Sequence, residues 1–156
     1  MIQRVQSLYF LLGALALFLV FVFDIVVFKD LAELHYHLSA LSFYQGEEQL
    51  VVKGNMFMNL LLSLGGGVML GNILMFKNRS LQRSIGRLIY ILILAIIGCM
   101  FYFIITNQNS PEVNELSVNH YSVGFYLPFF ALIMTFMANR GIRRDEQLVA
   151  SLDRLR

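Results

Sequence analysis

The sequence has little cysteine and few charged residues, and each scarcity excludes a class of protein. Its one cysteine, Cys99, has no partner for an intrachain disulfide, which excludes membrane thiol oxidoreductases that work through cysteine pairs. Only 14% of the residues are charged, whereas 58% are hydrophobic. That balance is more apolar than a water-soluble domain of this size needs, so it favours the lipid bilayer as the surrounding solvent.

Long apolar runs indicate how the chain crosses the bilayer. About 30 Å of hydrocarbon requires roughly 20 helical residues, and four runs have about that length. They predict spanning helices at about 8–28, 56–76, 85–106 and 121–138. The runs are continuous rather than alternating, which disfavours a β-barrel. The first run is too long for a cleaved signal peptide, so it is interpreted as a retained anchor.

Charge between the runs predicts orientation, because lysine and arginine in short loops are held in the cytoplasm. The loops at 29–55 and 107–120 are acidic on balance, whereas the other loop and both termini are basic. Both termini are therefore expected in the cytoplasm, with the two acidic loops on the outer side of the membrane. The net charge of +2 averages these two faces and gives no reason to expect nucleic acid as a partner. Ten of the 12 cations lie on the predicted cytoplasmic side: Arg4, Lys77, Arg79, Arg83, Arg87, Arg140, Arg143, Arg144, Arg154 and Arg156.

The predicted fold class is an all-α membrane protein that forms one domain over residues 1–156. The loop at 29–55 is the longest outside the membrane, with extended pieces near 36–44 and 49–53 and a turn at 45–47. A small β-hairpin is an option there, with 113–118 as a further strand. The cytoplasmic tail at 139–156 is predicted to form an amphipathic helix, because Leu148, Leu152 and Leu155 fall on one helical stripe.

The second apolar run has a pattern of small and polar residues that is typical of helix packing. Asn59, Ser63, Gly67 and Gly71 recur every four residues and share one face, and Gly65 and Gly66 thin the helix further. Packing against a neighbouring helix of the same chain is favoured for this face. A homodimer seam or a substrate groove is the alternative.

Asp24 is the strongest candidate for chemistry, because a carboxylate within a spanning run is costly and is kept only for a reason. It lies close to the predicted outer interface, where an anchor or a hydrogen bond is favoured over a proton or cation relay. His35 and His37 have the spacing of two metal ligands on a strand, and His120 or a glutamate would have to complete the site. Surface histidines are the favoured interpretation. No catalytic residue, cofactor site or metal site is predicted.

Two cytoplasmic segments, the loop after the second run and the C-terminal tail, are predicted to contact a protein partner. The loop could also bind anionic lipid headgroups, but the mixture of acids and bases in the tail favours a protein. The predicted partner-binding residues are Lys77, Arg79, Gln82, Arg83, Arg143, Arg144, Leu148, Leu152 and Leu155.

Three motifs together resemble a known family: residues 1–9, residues 76–82, and the ending at 138–140, 144–149 and 153–156. The chain is similar to small four-helix inner-membrane proteins of Bacteroidota that are known only as a domain of unknown function. The resemblance implies an inner-membrane location and leaves the activity open.

The expected function is that of a non-enzymatic accessory or structural subunit of a larger membrane assembly, for example in protein export or envelope biogenesis. Its expected partners are membrane lipids and a protein, with a homo-oligomer as an option. The alternative is a small transporter or channel that uses Asp24 and the polar face of the second helix.

Overall fold

A computed structural model of the protein describes residues 3–30, 33–46, 50–75, 79–108 and 116–153. These contain helices α1 to α4 and strands β1 to β5. The helices are Gln3–Leu19 (α1), Met56–Leu74 (α2), Arg79–Gln108 (α3) and Val123–Asp153 (α4). The strands are Val26–Lys29 (β1), His35–Leu38 (β2), Ser42–Gln45 (β3), Leu50–Gly54 (β4) and Ser117–Tyr121 (β5).

The all-α prediction is wrong, because the protein also contains a five-stranded antiparallel sheet. Its strand order is β4-β3-β2-β1-β5, so the first four strands form a meander and β5 joins beside β1. The extended pieces expected near 36–44 and 49–53 lie in this sheet, and the first of them supplies two strands. Gly46, between β3 and β4, has a φ of +66°, a backbone conformation that glycine adopts without strain.

The apolar run at 8–28 is not one helix, contrary to the predicted first span. Helix α1 ends at Leu19, a turn follows in which the Phe21 N–H donates to the Phe18 carbonyl, and the end of the run is strand β1. Val26, Val27 and Phe28 are all buried, as in a strand covered on both faces. A continuous apolar run of this kind does not distinguish a buried strand from a helix, and its β-branched and aromatic residues favour the strand.

Within the described parts of the chain, three helices are long and apolar enough to cross a membrane, as in a membrane protein. These spans are Met56–Leu74, Leu81–Gln108 and Val123–Arg144, and α1 contributes a shorter apolar segment, Val5–Leu19. Helix α1 packs against α2 and α4, and α3 also packs against both of them. Many large side chains on the outer faces of the helices are exposed, as expected for surfaces that contact lipid.

One face of the sheet is largely apolar, and the other carries His37 and Tyr44 beside buried Val27. On the apolar face, the ring of Phe43 stacks on Tyr36 at a centroid distance of 5.7 Å and meets Phe28 edge-on at 6.0 Å. These three residues belong to the same hydrophobic cluster as the buried residues of the helices. The core therefore runs from the helices into the sheet and holds the two together.

The two ends of the helices differ. At the sheet end, α1 and α3 finish, α2 and α4 begin, and all five strands lie. At the opposite end, called the basic end here, the described side chains include Arg83 and Arg87 on α3 and Arg140, Arg143 and Arg144 on α4.

Candidate functional site

Asp24 lies in the segment that joins α1 to β1, and both of its carboxylate oxygens have hydrogen-bond partners. The Tyr44 hydroxyl donates to Oδ1 at 2.8 Å, and Nδ1 of His37 lies 2.9 Å from Oδ2. His37 and Tyr44 are directly opposite each other in the β2–β3 pair, and their rings stack with centroids 5.1 Å apart. Strand pairing therefore brings the two donors to one carboxylate, and we call Asp24, His37 and Tyr44 the Asp24 cluster.

The electrostatics of the Asp24 cluster keep Tyr44 protonated. Burial, the hydrogen bond to Asp24 and the charge of that carboxylate all raise the pKa of the Tyr44 phenol well above its usual value. Tyr44 is thus a hydroxyl donor throughout the physiological range. About a quarter of the Asp24 side chain remains exposed, so the carboxylate is mostly shielded from solvent but still reaches it.

The first role of the Asp24 cluster is to tether. Asp24 follows the end of α1, whereas its two partners belong to the middle strands of the sheet. Hydrogen bonds to a charged group are stronger than those between neutral groups, so this link fixes the segment between α1 and β1 against the middle strands of the sheet. An Asp–His pair can also orient an imidazole for proton transfer, but that chemistry needs a nucleophile or substrate group within reach.

The three histidines considered as an alternative metal site lie on two strands, and one of them is hydrogen-bonded to Asp24. His35 and His37 share a face of β2, as their spacing predicts, but His37 is bonded to Asp24. His120 is on β5, paired with Val27 of β1, and its side chain is exposed. Within the described parts of the chain, no group of three or more His, Cys, Asp or Glu residues could hold a metal ion.

The glycines of α2 that touch other helices are Gly65 and Gly66. A Cβ on Gly65 would contact buried Ile96 of α3 and Leu17 of α1, and one on Gly66 would meet the ring of Phe18. A Cβ at Gly67 or Gly71 would have no neighbour within 4 Å.

The face of α2 predicted for packing therefore lies next to the face that packs against α1 and α3, rather than coinciding with it. Ser63 and Gly67 are exposed, and Asn59 and Gly71 are half-buried. Its use between two copies of the chain stays a prediction. Two asparagines of α2 have buried atoms without a hydrogen-bond partner among the described residues, namely Oδ1 of Asn59 and both polar atoms of Asn72.

Gly124, which no pattern in the sequence singles out, positions α4 beside the Asp24 cluster. Its N–H donates to the Asp24 carbonyl at 3.0 Å, and the Ser122 N–H donates to the Ile25 carbonyl at 3.0 Å. A Cβ on Gly124 would lie 2.6 Å from the Asp24 carbonyl oxygen and 2.7 Å from that of Phe23. Only glycine fits this approach of two backbones. A single glycine near the start of an apolar run does not indicate, from the sequence alone, that a second backbone lies against it.

Those of the predicted partner-binding residues that the structure describes lie at the basic end. Arg83, Arg143 and Arg144 are exposed, whereas Gln82 is 5% exposed and so lies inside the protein. Leu148 and Leu152 lie on α4, which continues to Asp153 without a break, so the tail is an extension of that helix. Arg79 begins α3. Lys77 and Leu155, and the side chains of Arg79, Leu148 and Leu152, lie outside the described part of the structure.

Comparison with known proteins gives one result at the level of the family. No match was found among curated proteins, and none among solved structures. A family model described as a domain of unknown function, DUF4293, matches residues 2–155, and this confirms the resemblance to a family known only as a domain of unknown function. The chain, with its apolar helices and its sheet, belongs to the DUF4293 family.

Proposed function

We propose that the protein is a non-enzymatic integral subunit of a larger assembly in the bacterial inner membrane, with both termini in the cytoplasm. The basic end would face the cytoplasm, because exposed arginines are retained on that side of a membrane. The sheet would then lie at the outer surface, held to the helices by the Asp24 cluster.

The observation that carries this proposal is the length of α4. Helix Val123–Asp153 has 31 residues, about 46 Å at 1.5 Å per residue, against about 30 Å of hydrocarbon. Its apolar span ends at Arg144, so the helix continues beyond the membrane for about 13 Å. A rigid helix that leaves the membrane with leucines on one stripe is a surface on which another protein can dock.

Purification of the assembly in mild detergent tests the proposal. The wild-type chain should elute in a complex of defined stoichiometry, and the complex should be lost when residues 145–156 are deleted. This truncation keeps the whole apolar span of α4. A chain that elutes alone, or a complex that survives the truncation unchanged, would contradict docking through the tail.

Point substitutions make the same test specific to the leucine stripe. The stripe variant replaces three leucines by serine, and the control variant replaces three residues with the same spacing, shifted by one position, by alanine. Docking through the stripe predicts loss of the complex in the first variant and retention in the second. The stripe residues are Leu148, Leu152 and Leu155, and the control residues are Gln147, Ser151 and Arg154.

A small transporter or channel is a second candidate, and it is favoured by the buried atoms of Asn59 and Asn72 that have no hydrogen-bond partner among the described residues. Buried polar atoms without a protein partner are costly, and a water-lined or ion-lined path would satisfy them. Asp24 supports this candidate less, because His37 and Tyr44 occupy both of its oxygens. In reconstituted vesicles, Asp24→Asn and Asn59→Leu should abolish flux of the transported ion, and flux unchanged in both variants would remove this candidate.

A further inference from the structure

A groove between α3 and α4 at the basic end combines arginine side chains with aromatic rings. It encloses about 310 Å³ and is lined by Tyr90 of α3 and by Phe136, Asn139, Arg140 and Arg143 of α4. None of these residues belongs to the Asp24 cluster, and the groove lies at the opposite end of the helices. Its lining can contact both a polar and an apolar part of a ligand.

The position of the groove along α4 places its two parts at different depths in a membrane. Arg140 and Arg143 lie about 26 and 30 Å along the helix from Val123, where the apolar span begins. Both distances are close to the thickness of the hydrocarbon, about 30 Å, so in a membrane crossed by this span both guanidinium groups would be near the level of the lipid phosphates. Phe136 lies about 10 Å deeper than Arg143, at the level of the acyl chains.

The two helices are held close together beside the groove. The Asn139 side-chain amide donates to the Gly86 carbonyl at 3.2 Å, and a Cβ on Gly86 would overlap the Asn139 side chain. The groove therefore has a fixed wall, and Asn139 forms part of it. Phe136 is 54% exposed, so the groove is accessible from the lipid.

Charge in the groove is of one sign. The spans of α3 and α4 contain no aspartate or glutamate up to Arg144. Arg140 and Arg143 are exposed, and neither takes part in the ion pairs found among the described residues. Two arginines three residues apart on one helix face can hold a phosphate oxygen from two sides, with the bidentate geometry that guanidinium groups favour.

We propose that this groove is a binding site for an anionic phospholipid of the leaflet at the basic end. Arg140 and Arg143 bind the headgroup phosphate, and Tyr90 and Phe136 contact the upper part of an acyl chain. A soluble protein would reach the arginines but not the aromatic part, which lies below the membrane surface. The site is independent of the proposed function, because it needs no protein partner.

The test is a lipid titration of the purified full-length chain in detergent, followed by native mass spectrometry. The probes are dioleoylphosphatidylglycerol, dioleoylphosphatidylcholine and glycerol phosphate, which separate the effects of headgroup charge and acyl chain. The wild-type chain should retain phosphatidylglycerol in preference to the other two. Arg140→Gln/Arg143→Gln should bind it at least about 10-fold more weakly, since the charge-assisted hydrogen bonds from both guanidinium groups to the phosphate are lost.

Arg87→Gln/Arg144→Gln is the matched control, because it removes the same charge from the same end without touching the groove. It should keep affinity close to wild type. Equal loss in both double variants would mean general attraction to a basic surface and would overturn the proposal. Phosphatidylcholine or glycerol phosphate binding as tightly as phosphatidylglycerol would also overturn it.

A second variant keeps the test valid if the double arginine variant misfolds. Phe136→Ser changes an exposed side chain, so the fold should survive, and affinity for phosphatidylglycerol should fall while the arginines remain. Wild-type affinity in Phe136→Ser would show that the groove holds no acyl chain, and the proposal would fail.

Discussion

Removing the hydroxyl of Tyr44 should loosen the sheet without disturbing the helices. The Tyr44→Phe substitution deletes one hydrogen bond of 2.8 Å to the Asp24 carboxylate and keeps the ring that stacks on His37. A hydrogen bond to a charged group contributes about 1.5–3 kcal/mol. Because a quarter of the Asp24 side chain is exposed, water replaces part of that bond, and we expect a loss of about 1–2 kcal/mol.

Amide hydrogen exchange of strands β2 and β3 measures this loss directly, because it reports local opening. Exchange in Tyr44→Phe should be about 5- to 30-fold faster in these strands, with α3 unchanged. Asp24→Ala should also accelerate exchange, and the double variant should cost less than the sum of the single variants, because both remove the same bond. Unchanged exchange in Tyr44→Phe, or fully additive effects, would refute the tether between Asp24 and Tyr44.

Three further predictions concern the sheet end and the packing of α2. Gly124→Ala should destabilise the protein by about 1–3 kcal/mol, measured by thermal unfolding in detergent, because the new Cβ overlaps the Asp24 carbonyl; a variant as stable as wild type would contradict this contact. The pKa of Tyr44 is raised, so the folded state holds the phenol proton more tightly than the unfolded state does. The stability from this bond is present below pH 10 and should fall as the pH rises above 10. The phenolate absorbance of Tyr44, obtained as the difference between wild type and Tyr44→Phe, should appear only above that pH. Gly65→Leu should unfold the protein or lower its stability by more than about 1 kcal/mol, whereas Gly67→Leu should be tolerated, because only Gly65 lies between two buried side chains. If two copies of the chain pair through this face of α2, Gly67→Leu should disrupt the dimer. Analytical ultracentrifugation measures that change.

The sequence predicted the long apolar helices well and the first apolar run badly, for one physical reason. Length and composition are enough to recognise α2, α3 and α4, because only a helix satisfies its backbone in lipid over some 20 residues. The run at 8–28 meets the same criterion but divides at Leu19. Its second half is a strand because β2 and β5 pair with it from both sides, and that pairing comes from residues distant in the sequence.

The Asp24 site was predictable as a position but not as a cluster. An acid near the end of an apolar run indicates an interfacial contact or a hydrogen bond, but the sequence does not identify the partner. The structure pairs Lys29 with Glu33 at 3.1 Å, and Asp24 with residues 13 and 20 positions away. Those partners follow from the β2–β3 register, which depends on the turn between the strands and on the burial of Phe43.

The orientation of the chain in the membrane is tested most directly by cysteine labelling. With Cys99 replaced by serine, a single cysteine is introduced at exposed His120, at the sheet end, or at exposed Gln147, on α4 beyond its apolar span. In intact spheroplasts, a membrane-impermeant maleimide should label His120→Cys at once and Gln147→Cys only after lysis. Labelling of Gln147→Cys in intact spheroplasts, with His120→Cys protected until lysis, would contradict a cytoplasmic basic end and an outer sheet.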